Sequence, residues 1–307
     1  MSRDTLERIA DAVLYEGYVL WPYRRSALKN QRRWTFGGVF PPAHSAQHPD
    51  DRCTMTTECL IEGTPEVEVR VRFLHVVRRQ ALDAAGRPVD ELCAGGARRL
   101  SWDEAAEREV VAPGPIAIHA GSELEPLGPE GSLERRWGAL AGRVDVRTAP
   151  VAPGVHRVTV EIANRSPWPG GTREAALRAT FCSTHTVLHA RDGAFVSLAD
   201  PPPALREAAA ACRNEGTGPV LVGEPGERDT VLSSPIILED HPRIAPESPG
   251  DLFDGGEVDE LLVLSILGLT DDEKAEMRDS DPRAREILER TEALTGEQML
   301  RLHGAIR

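Results

Sequence analysis

Leu6, Ile9, Ala10, Val13 and Leu14 recur at the i, i+3, i+4, i+7, i+8 spacing of one helix face. They predict an amphipathic N-terminal helix that Gly17 brings to an end. Further along, the period shortens. From Glu66 to Phe73, Val67, Val69, Val71 and Phe73 alternate strictly with Glu66, Glu68, Arg70 and Arg72. A period of two with one charged face predicts a half-buried antiparallel strand. Shorter apolar runs predict strands at Trp34–Phe40 (broken by Gly37 and Gly38), Pro115–His119, Val144–Arg147, Val155–Ile162, Leu177–Leu188 and Ala194–Leu198. A short helix, Ala204–Cys212, precedes two more strands at Pro219–Val222 and Thr230–Leu238. Pro- and Gly-rich turns such as Ala149–Gly154 and Ser166–Gly171 separate the strands, which fits a sandwich or open barrel better than alternating βαβ units.

The C-terminal region changes to helix-start signals. Thr270 with Glu273 forms a capping box, and Thr295 with Gln298 repeats it. Asp281 stands before Pro282, and Asp254–Glu257 opens a helix with Val258, Leu261, Leu262 and Ser265 on one side. The expected fold class is therefore α+β, an antiparallel β-rich core with an N-terminal helix and short C-terminal helices. Three parts follow: residues 1–40 packed on the core, the β-rich core at 41–238, and a Pro-rich acidic strap with helices at 239–307.

Charge narrows the functional classes. The 307 residues carry a net charge of -13, against general nucleic-acid binding and against a polybasic membrane contact. The longest strongly apolar run, Leu261–Leu269, is about half the ~20 residues that a bilayer crossing needs. The N-terminus carries Asp4, Glu7 and Asp11 and no apolar core of a secretory signal. Five scattered cysteines without a C-x-x-C pair suit reduced thiols in the cytoplasm.

Seven of the fourteen aromatic residues fall within residues 15–40, all three tyrosines among them. Tyr18, Trp21, Tyr23 and Trp34 are interleaved with Arg24, Arg25, Lys29, Asn30, Arg32 and Arg33. Aromatic rings and guanidiniums together bury large area and bond planar acidic groups, as binding hot spots do. The alternative is a packed corner in which arginines stack on tryptophans. A second candidate surface is the stretch Ser233–Asp254, Pro-rich yet carrying Ile236, Ile237, Leu238, Ile244, Leu252 and Phe253. Such apolar content predicts an extended segment anchored on the body, and Asp240, His241, Glu247, Asp251 and Asp254 make it a possible acidic recognition strip or a partner for the arginines.

Catalytic chemistry finds weaker footing. His44, His48, Cys53 and Cys59 are the most metal-like cluster, but their spacing lacks the two tight pairs of zinc sites. His185 and His189 sit in a β-branched run, where four residues span about 13 Å, too far to share one ion. Ser233 or Ser234 with Asp240 and His241 could form a hydrolase triad on paper, without the G-x-S-x-G elbow. Phosphate-binding and dinucleotide Gly loops, HExxH and EF-hand patterns are absent. The residues call for no cofactor and no metal.

Three strings, YEGYVLWPYRRSALKNQRRWTFGGVFP, FCSTHTVL and SSPIILEDHPRIAPESPGDLFD, resemble an actinobacterial family whose members are encoded beside uptake [NiFe]-hydrogenase operons. The resemblance implies accessory or maturation work for that enzyme and assigns no role to any single residue. The chain lacks the paired C-x-x-C motifs of a nickel–iron subunit and any iron–sulfur cysteine run. The expected function is accordingly a non-catalytic cytoplasmic accessory protein that binds a protein partner, a hydrogenase subunit or another maturation factor. The alternatives are a hydrolase or metal-dependent enzyme using residues around His241 and, least favoured by the charge, single-strand nucleic-acid binding on stacked aromatics.

Overall fold

A computed structural model describes residues 3–15, 36–63, 66–243, 263–280 and 282–295. Its centre is β2 (Glu66–Asp83), which continues the alternating segment for ten residues past Phe73. Val69, Val71 and Phe73 are fully buried on one side while Arg70 and Arg72 emerge on the other. Beyond Phe73 both faces are covered, so Leu74, His75, Val76 and Val77 are all buried and the strict alternation disappears from the sequence.

Every pairing of β2 is antiparallel. β6 (Trp102–Ala112) runs along one edge from Val69 to Arg79. The opposite edge is shared: β12 (Cys182–Arg191) takes its first half and β9 (Gly131–Trp137) its last six residues. β15 (Thr230–Ser234) and β14 (Gly218–Leu221) extend the sheet beyond β12, β8 (Gly121–Pro126) extends it beyond β9, and β3 (Pro88–Val89) pairs with the end of β2. A second sheet has the order β13 (Ala194–Val196), β1 (Thr54–Glu62), β11 (Val155–Asn164), β10 (Leu140–Ala152), β7 (Gly114–Ile118). A separate hairpin joins β4 (Glu91–Ala94) to β5 (Ala97–Leu100).

The two large sheets face each other across one core, with Val69, Val71 and Phe73 of β2 against Val158, Val160 and Ile162 of β11. The architecture is a two-sheet sandwich, α+β with antiparallel sheets and no closed barrel. The N-terminal helix α1 (Arg3–Tyr15) forms as its periodicity requires. It buries Ile9, Val13 and Leu14 on the outer face of the larger sheet, against Val187, Leu232 and Leu74. Asp11 accepts a 2.6 Å bond from Arg72 across that contact. Among the described residues no helix is long and apolar enough to cross a membrane.

The C-terminal capping box forms as expected: Thr270 N–H donates to Glu273 Oε2 at 2.9 Å, and Glu273 N–H donates to Thr270 Oγ1 at 3.3 Å. The helices Asp271–Ser280 and Pro282–Glu292 close on a small core of Met277, Ala284, Leu288 and Ile266.

Three expected elements differ. Within the Trp34–Phe40 stretch, residues 36–40 contribute a single bridge, Val39 to Phe181, because Gly37 turns at φ +58° and Pro41 follows at once. Leu177 ends a short helix, Arg173–Leu177, started by the Thr172 hydroxyl that caps Ala175 N–H, so β12 begins only at Cys182. β15 stops at Ser234, since Pro235 has no N–H for the ladder.

Candidate functional site

The described parts of the three strings singled out in the sequence meet in space. Val39 and Phe181 exchange backbone bonds of 2.9 and 3.1 Å, and Thr184 N–H donates to Gly37 O at 2.9 Å. Thr186 pairs with Ser233 in the register of β12 and β15. Gly37 lies so close to Pro235 that an added Cβ would stand 2.6 Å from the proline ring. Residues Phe36–Phe40 are thus fastened to the start of β12 and to Pro235 at the beginning of the strap.

The other end of the aromatic–basic segment is fixed nearby. Leu14 at the end of α1 and Phe40 on the return occupy one buried cluster with Leu74, Val76, Leu177 and Cys182, and Tyr15 and Trp168 pack against it. The strap begins on the neighbouring cluster, where Ile236 and Leu238 rest on Ile9, Val13 and Leu232. Ile237, between them, is fully exposed, and Phe36 is 43% exposed. These are two of the few large apolar side chains left uncovered among the described residues, one on each segment that meets at the Gly37–Pro235 contact.

A rigid polar support lies behind Phe40. His44 is completely buried and donates from Nε2 to Asp51 Oδ2 at 2.8 Å. Its ring stacks on Phe40 at 5.1 Å and meets Trp168 edge-on. Arg173 donates to both oxygens of Asp51, at 3.1 and 3.3 Å, and places its guanidinium 5.0 Å from the centre of the Phe40 ring. Burial pushes the Asp51 carboxyl up, but the bonds from Arg173 and His44 prevail and hold it below the ordinary carboxylate range. Phe40 is therefore packed against both members of this network.

Of the candidate binding residues, Asp240 and His241 are described, and both act on the backbone. Asp240 accepts from Leu221 N–H at 2.7 Å and from the Ser197 hydroxyl. His241 N–H donates to Leu221 O at 2.7 Å, and Nδ1 donates to Gly223 O at 3.2 Å with the backbone at φ +58°. They fasten the strap to the end of β14. Tyr18, Trp21, Tyr23, Arg24, Arg25, Lys29, Asn30, Arg32, Arg33 and Trp34 lie outside the described residues, as do Glu247, Asp251 and Asp254.

The paper triad is not assembled. Ser233 shares its hydroxyl with Thr57 and Thr217 at 2.8 Å each, and Ser234 donates to Ile236 O, so no hydrogen bond joins either serine to His241. His185 and His189 do lie on β12, facing the side of Arg72 and Glu68. No group of three His, Cys, Asp or Glu able to hold a metal ion occurs among the described residues. What the sequence reading missed is the His44–Asp51–Arg173 support, whose members are joined only by folding. The chain matches no known protein-family model and finds no match among curated proteins.

Proposed function

We propose that this protein is a non-catalytic accessory or assembly factor for a [NiFe] hydrogenase, acting in the cytoplasm by protein–protein binding. One observation carries the reading: the described parts of the three strings that resemble the hydrogenase-associated family, residues up to about two hundred apart in sequence, meet around Gly37, Phe181 and Pro235. Phe36 and Ile237 stay exposed at that unit, which fits the apolar centre of a docking surface. Arg24, Arg25, Arg32 and Arg33 belong to the chain between Tyr15 and Phe36, both of whose ends are anchored there. The partner is accordingly one with an acidic face, and no nucleic acid or membrane enters the reading.

Replacing Arg24, Arg25, Arg32 and Arg33 together by alanine is expected to abolish co-purification of a co-expressed hydrogenase subunit. If the arginines act by binding a partner and not by packing, the thermal melting midpoint of this variant stays within a few degrees of wild type. Undiminished co-purification would overturn the assignment.

A further inference from the structure

A cavity of about 170 Å³ lies between the larger sheet, where β6, β9 and β8 gather around the end of β2, the β5 strand and the C-terminal helices. Five arginines and three carboxylates line it, in a chain whose overall charge is -13. The floor is neutral and fixed. Glu104 accepts from Arg79 at 2.7 Å and from Arg135 at 2.9 Å, and Arg135 also donates to Glu125 at 2.7 Å. The Arg135 bond holds the Glu125 carboxyl below its ordinary range, so the floor stays ionised across the neutral region.

The rim is different. Arg98 is engaged with Glu91 at 2.6 Å, outside the cavity. Arg99 has its Nε buried with no partner, and Arg285 uses its Nε on the Arg278 carbonyl at 2.9 Å. Neither Arg99 nor Arg285 makes an ion pair among the described residues. Two guanidiniums without a direct carboxylate contact therefore face one small cavity, Arg99 acting on Glu125 only at a distance and Asp279, the third acid of the lining, acting likewise on Arg98. A buried guanidinium N–H left unsatisfied is costly, and a multiply charged oxyanion offers acceptors to two forks at once. The volume is below the roughly 300 Å³ at which sites for drug-sized ligands begin, so the occupant is a small ion.

We infer that this cavity is a binding site for a small oxyanion of the phosphate class, gripped by Arg99 of β5 and Arg285 of the helix Pro282–Glu292. A bound anion ties the C-terminal helices to the hairpin and the sheet. The site is separate from the docking surface, and its test is independent of it.

Titration calorimetry with inorganic phosphate against chloride at matched ionic strength tests the site. Saturable phosphate binding is expected, at least about tenfold weaker in the Arg99→Ala, Arg285→Ala double variant. Asp279→Asn should bind severalfold more tightly, an effect that a purely structural role of these residues would not produce. Absence of saturable binding, or equal binding by the double variant, would overturn the inference. So would an unchanged affinity in Asp279→Asn, which would mean that the anion sits elsewhere.

Discussion

Between pH 6.5 and pH 4 the protein is expected to lose about 3 kcal/mol of folding stability through His75 alone, with a comparable loss through His185. Both imidazoles are fully buried. Burial, reinforced by the Arg108 guanidinium, depresses His75 from 6.5 to about 4, and neither of its ring nitrogens has a hydrogen-bond partner. Burial also depresses His185 to about 3, assisted by Arg72 and opposed by the Ser183 carbonyl. A histidine with a lowered folded-state pKa binds its proton more readily in the unfolded chain. Its contribution is therefore complete above pH 6.5 and drains away as the pH falls toward the folded value. Two such losses approach the whole stability of an ordinary domain, about 5–15 kcal/mol, so acid unfolding should set in well above the range where carboxylates protonate. Urea melts of wild type and His75→Leu from pH 7.5 to pH 4.5 check this. The variant should be as stable as wild type or more so at pH 7.5 and should show a flatter pH dependence; parallel curves would exclude the histidine as the cause.

The second large effect is at Phe181. Its ring touches Phe73 of the larger sheet, with centroids 4.8 Å apart, and on the other side lies against Gly142 of β10, where an added Cβ would stand 2.7 Å from its Cζ. It therefore fills the space between the sheets, while its backbone holds Val39. Phe181→Ala should cost about 3–5 kcal/mol, the transfer loss plus the cavity left between two sheets that cannot close on it. Phe181→Leu should cost less, about 1.5 kcal/mol. A fall in the urea midpoint with an unchanged m-value is the expected signature. Because Phe181 also seats the return of the aromatic–basic segment, the alanine variant should weaken partner capture even at temperatures where it remains folded.

Alternation decided which strands could be read in advance. Glu66–Phe73 shows itself because one face is buried and the other carries ionised side chains. β6 does not: Trp102–Ala112 reads WDEAAEREVVA, a composition rich in helix formers. It is a strand because β2 offers Arg70, Arg72 and Arg79 to Glu109, Glu107 and Glu104, partners that lie 25 to 39 residues away in sequence. β8 and β9 are hidden for the same reason, as Glu125 of β8 and Glu104 of β6 meet Arg135 of β9 only after pairing. In both cases tertiary ion pairs override local propensity.

The candidate site was partly legible. Strings that stood out by composition proved to be spatial neighbours, and the apolar residues of the strap did signal anchoring, at Ile236 and Leu238. Asp240 and His241 read as recognition residues because their types are chemically versatile, yet they bond backbone groups of Leu221 and Gly223 and, for Asp240, the Ser197 hydroxyl. His44 stood out only as part of a metal-like cluster whose spacing argued against a metal, and its partner is Asp51, seven residues on, secured by Arg173 more than a hundred residues away. Spacing rules find ligands on one element; they cannot find a support assembled from three.

Amide hydrogen exchange of the protein alone and in complex with the co-expressed hydrogenase subunit tests the docking assignment most directly. Slowed exchange should appear at residues 18–36 and around Ile237, while the opposite face of the sandwich exchanges as before. A complex whose protection falls on other surfaces and spares residues 18–36, or the absence of any complex, would contradict it.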